Sequence, residues 1–326
     1  MLARDRLVTH AAAMIGEGSK SFAAASRLFD RRTRERVWLL YAWCRACDDL
    51  IDGQVLGGTL GDRSGMAERL EQVRAMTALA LAGRDSGDPA FDCLGVVAAE
   101  TGLTAAMAEA VITGFALDAA GWKPRCEADL MRYCWHVAGA VGVMMAVVMG
   151  MDPDDRALLE RACDLGLAFQ LANIARDIAE DHAAGRRYIP LDWLEDAGIA
   201  PDDLLALSSR NALGRIGARL AGLAGAHEAS ARIGAARLRP RQRWAILAAA
   251  GIYGDIARLV ARRGPAAWDR RAVVGTGRKA WWIVRAGGQS LLPVPRSARI
   301  LAETRRYVMS DLDDPSRDQA LRAIDD

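Results

Sequence analysis

Two pairs of aspartates, each pair four residues apart within an apolar stretch, most constrain what this chain can fold into. The first pair is Asp48 and Asp52, and the second, about 130 residues later, is Asp177 and Asp181. In a helix, residues i and i+4 lie on one face about 6 Å apart along the axis, so each pair would place two like charges side by side. Such repulsion destabilises a helix unless something neutralises it. Mg²⁺, which typically binds one or two carboxylates together with phosphate oxygens and water, would do so.

The neighbours of both pairs argue against an ordinary solvated face. Residues 37–44 (VWLLYAWC) precede the first pair and residues 165–172 (LGLAFQLA) precede the second, and both segments are too apolar for a surface helix. Carboxylates on buried helices are costly unless they are paired or bind a metal ion. The spacing therefore predicts a metal–diphosphate site between two helices.

The composition and the hydrophobic pattern are typical of an all-helical protein. Hydrophobic residues make up 52% of the 326 residues, and the ten prolines fall mostly between long periodic segments. Ala and Leu dominate and β-branched runs are short, which favours helix over strand. The pattern predicts helices at 5–15, 31–53, 66–83, 89–100, 104–120, 127–150, 153–184, 211–236, 240–263, 276–286 and 297–308.

Local signals predict the ends of several elements. Asp30 and Asp152 are predicted N-caps, the second with Pro153 at the first helical position. Five glycines in 53–65 predict a loop directly after the first acidic pair, either a lid or an ordinary linker. No repeat or composition break marks a second domain. We therefore expect one domain over 1–309 and a polar tail over 310–326.

Charge, cysteines and hydropathy disfavour several classes of protein. A net charge of +2 is too balanced to indicate a nucleic-acid partner. The six cysteines lie in apolar segments with no secretory signal before them, as in a reduced cytoplasmic protein. Cys44 and Cys47 form a lone C-x-x-C, without the second Cys pair or the His pair that zinc would need. The 15 uncharged residues from Val137 to Met151 are too few for a transmembrane helix, which needs about 20.

Each acidic pair belongs to a longer polar stripe. The first stripe has steps of four, three and four residues and comprises Tyr41, Arg45, Asp48 and Asp52. The second has steps of three, four and four residues and comprises Gln170, Asn173, Asp177 and Asp181. Arg45 is either a simple ion-pair partner or a guanidinium placed to contact a diphosphate oxygen. Asn173 could complete a metal shell or bond a phosphate oxygen.

Two turns and a set of apolar residues add to this site. Ser19 and Ser21, in the segment 18–22 (GSKSF), offer hydroxyls and backbone N–H groups to phosphate, although serine caps are common. Arg186 and Arg187 follow the second acidic pair and either approach Asp181 or compensate the helix C-terminus. Candidates for an apolar cavity wall, or simply for core, are Phe22, Tyr41, Tyr133, Val137, Val141, Leu167 and Tyr253.

The segment 40–52 (LYAWCRACDDLID) resembles the squalene/phytoene synthase family, and its bacterial phytoene synthases in particular. The resemblance continues in order through 18–22 (GSKSF), 114–118 (GFALD), 132–139 (RYCWHVAG), 170–177 (QLANIARD), 185–190 (GRRYIP) and 253–256 (YGDI). It covers most of residues 10–280 and fades beyond about 280, where it gives Trp281 and Trp282 no role.

The resemblance implies an all-α, isoprenoid-synthase-type bundle around a central apolar cavity. It implies an Mg²⁺- or Mn²⁺-dependent prenyltransferase that condenses two geranylgeranyl diphosphates head to head, through prephytoene diphosphate, into 15-cis-phytoene, the first committed step of carotenoid biosynthesis. NADPH and nucleic acid are not expected. Membrane lipid and other carotenoid enzymes are expected partners, for a cytoplasmic protein resting peripherally on the inner membrane without a signal peptide.

By the same resemblance, the site residues fall into three groups. The metal ligands are Asp48, Asp52, Asn173, Asp177 and Asp181. The diphosphate contacts are Ser19, Ser21, Arg45, Asn173 and Arg271. The residues that act in the reaction zone are Tyr41, Arg45, Tyr133, Gln170 and Tyr253.

Several alternatives stay open at the level of sequence. The same chemistry on farnesyl diphosphate gives dehydrosqualene or presqualene diphosphate, and the sequence does not show the depth of a substrate tunnel. Squalene synthase adds an NADPH-dependent reduction, but no G-x-G-x-x-G follows a strand here. A di-iron carboxylate bundle uses Glu-x-x-His, which is absent from this chain. A catalytically inactive helical scaffold is the remaining alternative.

Overall fold

The regular elements of the chain are helical, and no strand occurs in the ranges that the structure describes. The computed structural model describes residues 3–18, 20–53 and 65–312, apart from the side chains of residues 20, 21, 24, 52, 310 and 311. The α-helices are α1 Arg4–Gly18, α2 Lys20–Ser26, α3 Arg31–Asp52, α4 Met66–Leu81, α5 Pro89–Thr101, α6 Ala105–Ala119, α7 Glu127–Cys134, α8 Ala140–Val148, α9 Arg156–Ala183, α10 Leu191–Asp196, α11 Arg210–Ala235, α12 Pro240–Arg263, α13 Thr276–Ser290, α14 Arg296–Ala302 and α15 Met309–Leu312.

Contacts between Cα atoms divide the chain into two compact units. The first unit comprises Met1–Ala120 and Val143–Leu159, and the second comprises Gly121–Gly142 and Glu160–Asp326. The all-helical fold class is confirmed. The extent of one domain over 1–309 stays a prediction, and residues 313–326 of the predicted tail lie outside the described residues.

In the first unit, α3 packs against α1 and α5. Trp43 on α3 is fully buried, and its indole N–H donates to Thr77 Oγ1 at 3.1 Å. Arg4 and Arg36 both donate to the carboxylate of Glu100, at 2.5 and 2.8 Å. Burial opposes the charge of Glu100, but these hydrogen bonds outweigh it and lower the pKa of the carboxyl. An ion network thus ties together the three helices that position the first acidic pair.

In the second unit, α12 packs against both α11 and α13. One apolar cluster joins the three helices, with Ala235, Leu247, Ala248 and Ala286 at its centre. Gly251 is required here, because a Cβ at that position would lie 2.1 Å from Cε3 of Trp282. The C-terminal segment is also anchored, since Arg305 donates to the buried carboxylate of Asp164 at 2.5 Å. The described residues beyond 280, up to 312, therefore belong to the folded structure.

The predicted helix over 127–150 is interrupted by a π-helical turn. The turn spans Trp135–Gly139, between α7 and α8. Beside it, the chain approaches α9 to backbone contact: a Cβ on Gly166 would lie 2.1 Å from the carbonyl oxygen of Ala138, and one on Gly142 would lie 2.5 Å from that of Ala162. Such a close approach leaves no room for side chains between these segments.

Of the two predicted N-caps, one is confirmed and one is wrong. Asp30 Oδ1 accepts from the Thr33 N–H at 3.0 Å, as an N-cap should. Asp152 instead stabilises a turn by accepting from the Asp154 N–H, and α9 begins only at Arg156. Asp155 Oδ1 accepts from the Leu158 N–H at 3.1 Å, so the capping group is three residues further on.

Two described stretches are long and apolar enough to cross a membrane by length and composition. They are Glu127–Val148 and Pro240–Ala266, with 67% and 56% of their most apolar windows buried. Core helices of soluble proteins have the same properties, so burial favours a core role for both. The cysteines fit the same interpretation, because all six are free and burial raises the pKa of Cys44 to about 12, which keeps that thiol protonated.

Candidate active site

The first acidic pair lies on the C-terminal half of α3, which ends where Gly53 takes a left-handed conformation with φ of 63°. Arg45 bridges two carboxylates, with Nη1 3.1 Å from Asp48 Oδ2 and Nη2 2.7 Å from Asp49 Oδ1. The side chain of Asp48 is 43% exposed, so it stays accessible to a ligand. Asp52 is the last residue of the helix, and its side chain lies outside the described residues.

Arg45 is held charged by its neighbours. Burial opposes the charge, but the hydrogen bond to Asp49 and the negative charges of Asp48 and Asp49 outweigh it and raise the pKa of the guanidinium. A fixed positive charge next to two carboxylates neutralises the repulsion that the spacing predicted. The same guanidinium has the geometry to contact a diphosphate oxygen.

The predicted phosphate-binding turn lies against this stripe. A Cβ on Gly18 would lie 2.5 Å from the hydroxyl oxygen of Tyr41, so only glycine fits there without a shift. The rings of Phe22 and Tyr41 contact each other, with centroids 5.7 Å apart. Burial raises the pKa of Tyr41, with the charge of Arg45 opposing it, so the phenol stays protonated. Ser19 lies outside the described residues, and Ser21 is helical in α2 with its side chain not described.

The second acidic pair lies near the end of α9, and Asp177 is held there by two arginines. Arg176 donates to both carboxylate oxygens, with Nε 2.7 Å from Oδ1. Arg271 donates to Oδ1 through Nε at 3.0 Å and Nη2 at 2.8 Å. Arg271 also lies 3.7 Å from Glu180 Oε1. The side chain of Asp177 is only 17% exposed, so its charge is balanced almost entirely by these guanidinium groups.

The rest of the second polar stripe faces outward from a buried helix. Gln170, Asn173, Asp177 and Asp181 are all half-buried. The apolar residues between them are buried, namely Leu171, Ala172, Ile174, Ala175 and Ile178. The i, i+4 spacing therefore separated the two faces correctly. Beyond the stripe, the Arg186 N–H donates to the Asp181 carbonyl at 2.8 Å, and Arg187 donates to the Ile189 carbonyl.

Two stacked aromatic groups accompany the second pair in the same unit. Tyr133 stacks on Tyr188 with centroids 4.7 Å apart and on Trp122 at 5.8 Å. Tyr253 stacks on Phe169 at 4.0 Å. Burial raises the pKa of Tyr253, while the charge of Arg176 opposes the shift. Among the other predicted wall residues of this unit, Leu167 is fully buried and lies beside Gly139.

Sequence reasoning assigned no role to three residues of this geometry. Asp49 was not a predicted ligand, although its spacing of four from Arg45 was a usable signal. Arg176 lies beside the stripe rather than on it, and only its long side chain brings it to Asp177. Trp268 donates to the Ala175 carbonyl at 3.0 Å and so holds the segment that carries Arg271 against α9. No local pattern indicates that last contact.

The donor set at both positions suits a hard divalent cation. The candidate metal ligands are carboxylate and amide oxygens on half-buried helix faces, whereas sulfur or imidazole ligands would favour zinc. No group of three His, Cys, Asp or Glu residues close enough to hold a metal ion occurs in the described part of the chain, which omits the Asp52 side chain.

Comparison with known proteins identifies the family. Residues 15–278 match the family model described as squalene/phytoene synthase. The chain belongs to that family. Among its relatives within the squalene/phytoene synthase family, a phytoene synthase of Pseudescherichia vulneris is 43% identical over 290 residues, covering 88% of this chain and 93% of its own. A 15-cis-phytoene synthase of Pantoea ananas is 44% identical over 287 residues, covering 87% and 92%.

Solved structures agree with this assignment. A dehydrosqualene synthase crystallised with a ligand superposes with a TM-score of 0.76 at 27% identity, covering 88% of this chain and 97% of its own. The predicted isoprenoid-synthase fold and the predicted membership of the squalene/phytoene synthase family are confirmed.

Proposed function

We propose that this protein is a phytoene synthase, which condenses two molecules of geranylgeranyl diphosphate head to head, through prephytoene diphosphate, into 15-cis-phytoene and releases diphosphate. The predicted activity agrees with relatives that carry that name over nearly their whole length. The observation that carries the chemistry is Asp177, a mostly buried carboxylate on α9 that accepts hydrogen bonds from both Arg176 and Arg271. This reaction is the first committed step of carotenoid biosynthesis.

In this proposal the acidic residues hold Mg²⁺ or Mn²⁺. Asp48 and Asp52 serve on α3, and Asn173, Asp177 and Asp181 serve on α9. The bound cation would neutralise negative charge on the departing diphosphate. Family membership supports a metal-dependent prenyl diphosphate reaction, and the oxygen-only donor set supports Mg²⁺ or Mn²⁺.

The arginines have a second role once substrate binds. Arg45 and Arg271 each hold a carboxylate through charge-assisted hydrogen bonds, and they can transfer those bonds to diphosphate oxygens without moving far. Ser19 and Ser21 in the first unit, and Asn173 in the second, would each offer neutral donors to diphosphate oxygens. The leaving group is thus met by fixed positive charge in surroundings of low dielectric, where such charge stabilises ionisation most strongly.

The aromatic residues protect the allylic cation that ionisation leaves behind. The faces of Tyr41 in the first unit, and of Tyr133 and Tyr253 in the second, can each attract a cation without reacting with it. Gln170 would serve as a polar residue of the reaction zone. Stacking partners such as Phe169 and Tyr188 restrict the rings and exclude water, which would otherwise quench the cation. The double bond of the second substrate, instead of water, then attacks the allylic cation.

Further parts of the proposal concern location and partners. The protein acts in the cytoplasm and contacts the inner membrane peripherally, because its substrate tails and its product are hydrocarbons. No NADPH and no nucleic acid take part, and association with other carotenoid enzymes would pass on the insoluble product. A single domain over 1–309 carries the reaction.

One alternative substrate has an observation in its favour. The dehydrosqualene synthase that superposes at a TM-score of 0.76 is 27% identical to this chain. Farnesyl diphosphate, giving dehydrosqualene or presqualene diphosphate, is therefore the second candidate.

The deciding experiment is incubation of the purified protein with geranylgeranyl diphosphate, Mg²⁺ and mild detergent, without NADPH, followed by mass spectrometry of the extract. The expected product is a C40 triene. A C30 product from farnesyl diphosphate, with nothing from the longer substrate, would keep the mechanism and replace the substrate. If neither substrate reacts, the proposed activity is wrong.

A further inference from the structure

The exposed apolar residues of this protein are concentrated near its C-terminal end. Nine large apolar side chains are exposed in the described part of the chain, and six of them lie between residues 281 and 301: Trp281, Val284, Leu291, Leu292, Ile300 and Leu301. They belong to α13, to the loop after it and to α14, all in the second unit. An exposed apolar concentration of this kind marks an interaction surface.

The same segment is strongly basic. Between residues 276 and 302 there are five basic residues, Arg278, Lys279, Arg285, Arg296 and Arg299, and no Asp or Glu. Trp281 and Val284 on α13 and Leu291, its C-cap residue, follow steps of three and seven residues and so share one stripe, with Arg278 and Arg285 along one edge. The opposite side of the helix carries Trp282 and Ala286, which are buried.

We infer that α13, the following loop and α14 form a docking surface for the face of an anionic lipid membrane. This gives a location to the membrane contact in the proposed function. A helix that lies in a membrane interface carries Trp and Leu on its inserted side and Lys or Arg beside the headgroups. Trp281 fits that position, since the residue is 41% exposed and its ring centroid lies 4.1 Å from the Arg278 guanidinium carbon and 5.1 Å from that of Arg285.

The surface is held rigidly on the fold, which distinguishes it from a frayed end. The Trp282 indole donates to Asp255 Oδ2 at 2.6 Å, and the Trp244 indole donates to the Ile283 carbonyl at 2.7 Å. Arg243 donates to the carbonyl of Leu292 in the loop. The backbone that presents the exposed side chains is thus fixed from behind by three hydrogen bonds.

Charge distinguishes a membrane from a second copy of the chain. In a two-fold dimer the same patch meets itself, so basic residues such as Arg285, Arg296 and Arg299 would face like charges, and the segment contains no carboxylate to offset them. Arg278 is already paired with Asp255 of α12. Phospholipid headgroups of negative charge instead complement the whole segment. The apolar stripe then enters the boundary between headgroups and acyl chains.

The test is flotation of the full-length protein with vesicles of phosphatidylcholine, with and without phosphatidylglycerol. We expect wild type to float with the anionic vesicles. The double variant Val284→Glu with Leu291→Glu should bind them at least about tenfold more weakly, because two inserted apolar side chains are lost. Leu207→Glu is the matched control, because Leu207 and Leu291 are both 81% exposed, and Leu207 lies in the same unit outside the surface. It should float as wild type does.

A charge variant separates the two contributions. Arg285→Gln with Arg299→Gln should weaken binding to anionic vesicles and make the remaining binding less sensitive to salt. Circular dichroism confirms folding of each variant, and ultracentrifugation reports its oligomeric state. The inference is overturned if wild type does not float with anionic vesicles, or if the Glu variant floats like wild type. It is also overturned if the only effect of the Glu substitutions is to convert a dimer to a monomer.

Turnover of detergent-dispersed geranylgeranyl diphosphate, measured on the same preparations, keeps this inference separate from the proposed activity. Active protein that does not float overturns the docking surface alone. Floating protein that forms no product overturns the activity alone.

Discussion

Both hydrogen bonds from the guanidinium of Arg271 end on one oxygen of Asp177, 94 residues earlier in the chain. Arg176 donates to both oxygens of the same carboxylate. A cation that binds Asp177 would therefore replace part of these hydrogen bonds. Arg271 is then left beside the incoming diphosphate, which is where the proposed reaction needs a positive charge.

Arg271→Gln should therefore lower kcat/KM for the diphosphate substrate. Loss of a charge-assisted hydrogen bond, worth about 1.5–3 kcal/mol, predicts a fall of roughly 10- to 100-fold in kcat/KM, measured by steady-state kinetics. Arg271→Lys should recover part of the loss, because it keeps the charge but not the bidentate geometry. Arg262→Gln, an exposed arginine at the end of α12, is the control and should behave as wild type.

Asp48→Asn and Asp177→Asn should each reduce turnover by a factor on the order of 10² or more, the scale seen when one group that stabilises the transition state is lost. Helical content by circular dichroism should stay near that of wild type, because the change is isosteric. Asp202→Asn, at an exposed position in the turn Pro201–Asp203, controls for loss of one negative charge. Near-normal activity in either site variant would contradict the metal assignment.

Gly18 and Tyr41 should behave as a coupled pair in unfolding experiments. Gly18→Ala places a Cβ against the Tyr41 hydroxyl and should destabilise the protein. Tyr41→Phe removes that oxygen and leaves the ring carbon that bore it 3.6 Å from the new Cβ, an ordinary contact. A double-mutant cycle on the free energy of unfolding in urea should thus give a coupling of about 0.5–3 kcal/mol. Additive effects would show that the two residues do not touch.

Glycines at close helix contacts should differ sharply from glycines in open positions. Gly166→Ala and Gly251→Ala force a Cβ to within 2.1 Å of a carbonyl oxygen or an indole ring, and should cost about 1–3 kcal/mol of stability. Gly222→Ala, within α11, meets nothing within 4 Å and should stabilise the protein by up to about 1 kcal/mol. Thermal and urea unfolding measure the stability change of each variant. Equal changes at the close-contact and the open positions would contradict the close contacts of Gly166 and Gly251.

Asp255 should give the protein a stability contribution that disappears in acid. Burial alone would raise its pKa, but hydrogen bonds from Arg278, Trp282 and Arg258 outweigh this and hold the pKa below the ordinary 3.8. Since the folded pKa is the lower one, the contribution is complete above the unfolded value and is lost as pH falls from there through the folded value.

Asp255→Asn should therefore cost about 3 kcal/mol or more at neutral pH, the scale for breaking a buried ion pair. The gap from wild type in urea unfolding should close as pH is lowered below about 4. A gap that stays constant down to about pH 3 would exclude this carboxylate as the source. Asp202→Asn should run parallel to wild type throughout.

Long, strongly periodic helices were predictable, and short ones were not. The bounds of α3 and α12 follow from sustained apolar periodicity, helped at α3 by the Asp30 cap. A short helix was expected after the turn at 18–22 but without bounds, and α10 was not predicted, because seven and six residues make too few turns for a period to show. It also extended the last predicted helix to 308, whereas α14 ends at Ala302. The π-helical turn was invisible because apolar residues continue on both sides of it.

The site was predictable where partners lie on one helix and unpredictable where they do not. Spacing alone found the Arg45–Asp48 pair and the stripe that carries Asp177. Arg271 came only from resemblance to a family, since no local period relates residues 94 positions apart. Trp268, which fixes that segment against α9, was missed for the same reason. Side-chain length and tertiary contacts determine which partners these residues have, and neither can be predicted from the spacing of residues along the sequence.

The π-helical turn over Trp135–Gly139 also bears on how this chain tolerates changes in length. A π turn contains one residue more than an α turn, so deletion of one residue there can restore a continuous α-helix with Tyr133 and Gly142 still facing as they do now. Deletion of one residue of α9 on the N-terminal side of Asp177 would rotate that carboxylate by about 100° around the helix axis relative to the preceding part of the helix. A one-residue deletion between homologous sequences should therefore be less disruptive at this turn than in α9.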